Sequence, residues 1–133
     1  MANAIYPKAK EAFLSGAINM TSDTIKIALV DTGTYTYSAS HEHYSDLSGV
    51  LGTPVALGSK TVTSGVFDAA DATFTTPTAG TSIEALVIYK DTGNVATSNL
   101  IAYIDAGTGL PFTTNGADID IVWDSGSNKI FAI

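Results

Sequence analysis

The sequence contains no cysteine and no arginine, and each absence excludes a class of site. Without cysteine, the chain can form neither a disulfide framework nor a thiolate metal centre. Without arginine, it lacks the bidentate donor that phosphate recognition favours, and its 6 basic residues are lysines scattered along the chain. The net charge is −7 because 13 residues are acidic. We therefore do not expect nucleic acid as a partner.

Charge and long apolar stretches are scarce as well. Charged residues make up 14% of the chain, against about 25% in an average soluble domain, while 45% of the residues are hydrophobic. That balance favours a folded, turn-rich β protein over a disordered one. No stretch approaches the roughly 18 apolar residues of a membrane span, and the first residues lack the basic and apolar regions of a signal peptide. We therefore expect no membrane partner and synthesis in the cytoplasm.

The length and the first residues predict one domain that begins with a helix. A chain of 133 residues fits one domain, since domains commonly have about 100–150 residues. Pro7 suits the first helical position and Gly16 the position after the last turn. Apolar residues recur at helical spacing at Tyr6, Ala9, Phe13 and Ala17. We predict a single β-rich domain over residues 1–133, with residues 1–17 as an N-terminal arm or helix and the helix itself at Pro7–Ser15.

After the helix, the pattern is typical of short β-strands separated by turns. Strands are predicted at Thr24–Val30, Val55–Leu57, Lys60–Val66, Ala72–Thr75, Ser82–Lys90, Asn99–Asp105, Asp118–Asp124 and Lys129–Ile133. Tyr35–Leu47 is predicted as a loop with a helical turn near His43–Leu47. The fifth and sixth strands form one hairpin, and the last two form another. The fold class is mainly β: an antiparallel sandwich or jelly-roll-like domain, or a small barrel, with one short N-terminal helix.

Four Asp-x-Gly sequences follow predicted strands, at Asp31, Asp91, Asp105 and Asp124. The first, Asp31-Thr32-Gly33, resembles the active-site turn of aspartic proteases, in which two carboxylates share one proton. Repeated Asp-x-Gly is also common turn chemistry, because Asp bonds to its own backbone and Gly adopts positive φ. We favour the turn interpretation and predict no catalytic residue. A protease homodimer built on Asp31 is the enzymatic alternative.

The loop between the first two strands holds most of the other candidate residues, and the N-terminal segment holds the rest. His41-Glu42-His43 could place two imidazoles on one face for a metal, but no third ligand is evident, so we predict no metal and no cofactor. Tyrosines are effective contact residues because they bury apolar area and keep a hydroxyl to pair. The candidate interface residues are Ile5, Tyr6, Phe13, Tyr35, Tyr37, His41, His43 and Tyr44. The alternative is that these tyrosines cover the edge of the sandwich. Glu84 is predicted at the surface.

Four segments resemble small structural proteins that are encoded among the head and tail genes of tailed phages. They are Asn3–Gly16 (NAIYPKAKEAFLSG), Thr24–Asp31 (TIKIALVD), Glu84–Gly93 (EALVIYKDTG) and Trp123–Phe131 (WDSGSNKIF). The resemblance spans nearly the whole chain, and it implies a virion component. Within that group, the size and the β-rich character look like a capsid decoration or cement protein. Such a protein is a jelly-roll-type domain bound outside the shell at the joints between capsid subunits.

The resemblance sets the expected function and its alternatives. It implies a virion protein without an active site, whose partners are the phage major capsid protein or other virion proteins, with a homo-oligomer as a further option. The alternatives within the particle are a head fibre, a neck or tail accessory protein, or a carbohydrate-binding module. The protease homodimer is the alternative outside that class.

Overall fold

A computed structural model describes residues 4–75, 80–105, 112–121 and 130–132. The strands, in chain order, are β1 (Ala4–Ile5), β2 (Ile25–Val30), β3 (Val50–Ala56), β4 (Thr61–Thr63), β5 (Val66–Asp68), β6 (Ala72–Phe74), β7 (Ser82–Ile83), β8 (Ala85–Lys90), β9 (Leu100–Ile104), β10 (Phe112–Thr113), β11 (Ile119–Ile121) and β12 (Phe131–Ala132). One α-helix, α1 (Pro7–Leu14), and a 3₁₀-helix at Tyr44–Asp46 complete the elements. The protein is therefore mainly β with one short N-terminal helix, as the sequence predicted.

A five-stranded sheet in the order β1-β9-β8-β2-β3 forms the centre, and all of its pairs are antiparallel. Three small antiparallel sheets accompany it: β10 with β7, β11 with β6, and β12 with β5 and β4. The pairing of β8 with β9 confirms the first predicted hairpin. None of the helices in the described ranges is long and apolar enough to cross a membrane.

The central sheet is covered on both faces, which explains why β2 and β8 are almost continuously apolar. One face carries Ile25, Ile27 and Leu29, which pack in a core with Phe67 and Phe74 of the small sheets. This arrangement is sandwich-like. The opposite face carries the alternating residues of the same strands and is covered by α1 and by the loop that follows β2. The helix contributes to both cores, with Ala12 in the first and Ala9 in the second.

The helix α1 ends just before Gly16, as the sequence predicted. Gly16 has a φ of 78°, its N–H donates to the Phe13 carbonyl at 3.2 Å, and the Ala17 N–H donates to the Ala12 carbonyl at 2.8 Å. These two bonds form the Schellman motif that closes many helices. At the other end, the Tyr6 N–H donates to the Ile101 carbonyl at 3.0 Å. Residues 4–14 are therefore packed on the domain as a strand and a helix, and do not extend from it as an arm.

Two predicted strand boundaries are wrong. The predicted strand Lys60–Val66 is a hairpin of β4 and β5, because Ser64 and Gly65 have φ values of 51° and 79° and form a two-residue turn of the type I′ kind. The strand predicted at Val55–Leu57 begins earlier, at the start of β3, and runs through Pro54. A proline fits there because β3 is an edge strand of the central sheet.

The predicted C-terminal hairpin is only partly within the described residues. Its two described pieces pair elsewhere: β11 pairs with β6, and β12 pairs with β5. The predicted turn and strand ends at 122–129, which include Trp123 and Asp124, lie outside the described residues.

Candidate functional site

All six tyrosines of the chain lie on the face of the central sheet that α1 and the following loop cover. We call them the tyrosine cluster: Tyr6, Tyr35, Tyr37, Tyr44, Tyr89 and Tyr103. The Tyr37 ring lies between two others, with centroids 5.0 Å from Tyr6 and 5.2 Å from Tyr103. Tyr44 and Tyr89 form a separate pair at 4.7 Å. All these pairs are tilted, at separations where aromatic contacts are favourable.

Four of the tyrosines are buried, and two of these, Tyr6 and Tyr35, share a chain of hydrogen bonds. The Tyr6 and Tyr35 hydroxyls are 2.8 Å apart, and the Tyr35 hydroxyl is 2.7 Å from Nδ1 of His41. Tyr6 is 0% exposed and Tyr35 is 2% exposed. Burial is the main cause that raises the pKa of Tyr6 above its usual value, and the hydrogen bond with the Tyr35 hydroxyl is the second. Both residues were predicted as interface residues, but their rings are closed off from a partner and instead tie the loop to the sheet.

The other predicted interface residues are partly exposed. Tyr37 and His41 lie beside the buried pair. His43 and Tyr44 lie further along the loop, where the Tyr44 N–H donates to the Ser98 carbonyl at 2.8 Å. Ile5 and Phe13 are half-buried against the core clusters. The two partly exposed tyrosines of the loop have different ring partners, since Tyr37 packs against Tyr6 and Tyr103 and Tyr44 packs against Tyr89.

A cleft opens at the end of the sheet beside Tyr37. It has a volume of about 450 Å³ and is lined by Thr32, Tyr35, Thr36, Tyr37, Glu84, Tyr103 and Asp105. We call it the acidic cleft. The sequence singled out two of these tyrosines, whereas Tyr103, Glu84 and Asp105 were not predicted as site residues. The register of β8 with β9, which pairs Leu86 with Ile104, places Glu84 and Asp105 at one end of the sheet.

Hydrogen bonds and charge define the walls of the acidic cleft. Glu84 interrupts the strand between β7 and β8, and its Oε2 accepts bonds from the Thr32 N–H at 3.2 Å and the Thr32 hydroxyl at 2.9 Å. Burial raises the pKa of Tyr103 to about 12, with further contributions from the negative charges of Asp105 and Glu84. The phenol is therefore neutral at physiological pH, and the charge of the cleft comes from its carboxylates.

The Asp-x-Gly sequences at Asp31 and Asp91 are turns, as predicted. An Asp31 carboxylate oxygen accepts the Gly33 N–H at 2.8 Å, and an Asp91 carboxylate oxygen accepts the Gly93 N–H at 2.9 Å. Asp31 directly follows the last residue of β2. Asp91 lies at the other end of β2, because its N–H donates to the carbonyl of Thr24, the residue before the first residue of β2. The two carboxylates are thus separated by the length of a six-residue strand, about 20 Å. They cannot share a proton within one chain.

The two histidines of the loop do not converge on a common point for a metal. Nδ1 of His41 is engaged with Tyr35, and Nε2 of His43 is 3.8 Å from Glu42. Within the described ranges, no group of three or more His, Asp or Glu side chains could hold a metal ion. The segment is instead fixed by Asp46, which accepts the Glu42 and His43 N–H groups at 2.9 and 3.1 Å. These bonds hold the pKa of the Asp46 carboxyl below its usual value.

A second, apolar cleft of about 490 Å³ lies between the end of α1 and the β4–β5 hairpin. Its apolar lining consists of Phe13, Ile18, Met20, Val62 and Phe67. Val62 is 52% exposed, and Leu14, the neighbour of Phe13 in sequence, is 90% exposed. The acidic cleft has more defined chemistry, since it combines aromatic rings, hydroxyl groups and two carboxylates.

Comparison with known proteins assigns no family. The sequence matches no protein-family model, and a search of curated proteins finds no match.

Proposed function

We propose that this chain is a non-enzymatic structural protein of a tailed-phage particle, bound to the outside of the capsid as a decoration or cement protein. The proposal starts from the four segments that resemble small virion proteins. The single structural observation that supports it best is the use of the Asp-x-Gly motif. Asp31 and Asp91 each close a turn, at opposite ends of β2. The motif that most resembles an enzyme's active site therefore serves in this protein to close turns.

The distribution of apolar side chains also suits a rigid binding domain. Both faces of the central sheet are packed, so the sheet holds its edges and loops in fixed positions. A cement protein needs only a complementary surface, and a well-packed interface of about 1,600 Å² is sufficient for specific binding. The acidic cleft and the half-buried Tyr37 are available on such a surface.

Copy number in purified particles tests the proposal. Particles assembled from the genome that encodes this chain would be purified by density gradient, and the chain quantified by mass spectrometry against the major capsid protein. We expect on the order of hundreds of copies per particle, because a decoration protein repeats with the capsid lattice. A handful of copies would place the chain in the neck, tail or fibres, and its absence from particles would reject a virion role.

A further inference from the structure

We infer that the acidic cleft binds the guanidinium group of an arginine side chain from a partner protein. The inference deepens the proposed function, because it states how the partner is recognised. It depends on the proposed function only for the partner's place in a virion, and the binding itself can be measured on the isolated chain.

The charged residues that line the cleft are both acidic. Glu84, between β7 and β8, and Asp105, directly after β9, both line it, and none of its seven lining residues is basic. The lysines of the central sheet are at the opposite end, where Lys26 pairs with Asp91 at 2.7 Å and Lys90 with Asp23 at 3.3 Å. The register confirms this separation, since Ile25 lies opposite Lys90 and Val30 opposite Ala85. A concave site lined by one sign of charge concentrates the potential that attracts a cation.

The lining suits a planar cation better than a compact one. The half-buried Tyr37 supplies aromatic surface beside the carboxylates, and its ring is supported by the buried ring of Tyr103 at a centroid distance of 5.2 Å. Arginine combines stacking on aromatic rings with a fork of N–H donors that matches carboxylates, whereas the lysine ammonium is a strongly hydrated point charge. Both bonds from Thr32 reach Oε2 of Glu84, so the carboxylate is held in place and neither bond occupies Oε1. A preorganised acceptor lowers the cost of binding.

The composition of the chain identifies the source of the arginine. The sequence contains no arginine, so a second copy of this chain cannot provide the guanidinium group. The occupant therefore comes from a different protein. Recognition of arginine in the cleft therefore differs from self-association, for which the lysines of a second copy would be sufficient.

The test is an NMR titration of the ¹⁵N-labelled full chain with Nα-acetylarginine amide. The neutral isostere Nα-acetylcitrulline amide, Nα-acetyllysine amide and N-acetylglucosamine are titrated in parallel. We expect arginine amide to shift the amide signals of residues 32–37, 84 and 103–105 in a saturable manner, and more salt to weaken binding. Citrulline and lysine amides are expected to bind at least about fivefold more weakly.

Three variants complete the experiment. Glu84→Gln and Asp105→Asn each remove one negative charge from the cleft with little change in shape, and each should weaken arginine binding roughly fivefold. Asp91→Asn is the matched control, because it removes the same charge at the far end of the sheet and its amide oxygen can still accept the Gly93 N–H. Its binding should match the unaltered chain. Thermal unfolding of each variant checks that it remains folded.

The inference is overturned by any of four results. These are no cleft shifts with arginine amide, equal affinity for citrulline or lysine amide, saturation by the sugar in place of arginine, or equal loss in all three variants. Arginine binding by a chain that is absent from particles would reject the proposed function and leave the inference standing. A chain that is abundant on particles but does not bind arginine in its cleft would overturn the inference and leave the proposed function standing.

Discussion

At the scale of single residues, the Tyr35 hydroxyl has two partners and the Tyr6 hydroxyl has one. Tyr35→Phe removes the bonds to Tyr6 and to His41, and leaves the fully buried Tyr6 hydroxyl without the Tyr35 oxygen. Tyr6→Phe leaves Tyr35 bonded to His41. A buried polar group that loses its partner costs about 1–3 kcal/mol, and a simple loss of one hydrogen bond about 0.5–1.5 kcal/mol.

We therefore predict that Tyr35→Phe destabilises the protein more than Tyr6→Phe, by about 1 kcal/mol. Urea unfolding followed by circular dichroism measures both. Tyr37→Phe is the control, since the Tyr37 ring is only half-buried, and it should change stability by less than about 0.5 kcal/mol. A larger effect for Tyr6→Phe than for Tyr35→Phe would contradict the hydrogen-bond chain.

The tyrosine cluster also predicts how stability depends on alkaline pH. Burial raises the pKa of Tyr6, Tyr35, Tyr44, Tyr89 and Tyr103 above the usual 10.0, to about 12 for Tyr103. The folded state thus holds these protons more tightly than the unfolded state does. Their contribution to stability is complete below pH 10 and is lost as the pH rises through the folded-state values.

We expect the free energy of unfolding to decrease steeply above pH 10, with most phenolate absorbance appearing only as the protein unfolds. Parallel pH titrations by ultraviolet absorbance and circular dichroism measure the two events. Ionisation of most tyrosines near pH 10 in a protein that keeps its native circular dichroism would show that the cluster is not buried as described.

At the scale of elements, β3 and the turn before it depend on two glycines that make a matched pair. Gly49 and Gly52 have φ values of 66° and 67°. A Cβ at Gly49 would lie 2.8 Å from the Asp31 carbonyl oxygen and 2.9 Å from the Thr34 Cβ, whereas a Cβ at Gly52 meets nothing within 4 Å. Both positions carry the left-handed backbone cost of about 1–2 kcal/mol for alanine, and only Gly49 adds a clash.

Gly49→Ala should therefore cost at least about 1 kcal/mol more than Gly52→Ala. Denaturant unfolding of the two variants compares them directly. Gly52→Ala is the matched control for Gly49→Ala, because the two glycines have nearly the same φ. Equal costs would mean that the turn at Asp31, whose N–H donates to the Gly49 carbonyl at 3.0 Å, is not closely packed against this glycine.

The elements that the sequence predicted well are those whose signals are local. The Pro7 and Gly16 boundaries and the apolar run of β2 need no knowledge of the rest of the chain, and the structure confirms them to within one residue. The β4–β5 hairpin was missed because Ser64 is an unusual residue for positive φ. The first half of β3 was missed because proline weakens a strand signal unless the strand is known to be an edge.

The acidic cleft shows why a site is harder to predict than its elements. Tyr35 and Tyr37 stand out in a polar loop, so the sequence identifies them. Tyr103, Glu84 and Asp105 join them only through the register of β8 and β9, which brings distant parts of the chain to one end of the sheet. The exposure of a tyrosine also depends on the tertiary structure. Tyr35 is buried because Tyr6 and Tyr103, which are distant in sequence, pack against it.

At the scale of the whole molecule, we propose that a rigid β domain binds an assembled shell and stabilises it without chemistry. A ligand that binds only the assembled state stabilises that state by mass action. The effect grows with the number of bound copies, so a cement protein acts on the particle as a whole.

The most direct test of this account is the temperature at which particles open, measured with and without the chain. Particles assembled from a genome lacking its gene would be heated while released DNA is followed by dye fluorescence, and then heated again after incubation with the purified chain. We predict that particles without the chain open at a lower temperature and that the added protein restores the original value. Opening at the same temperature in all three samples would contradict the cement function.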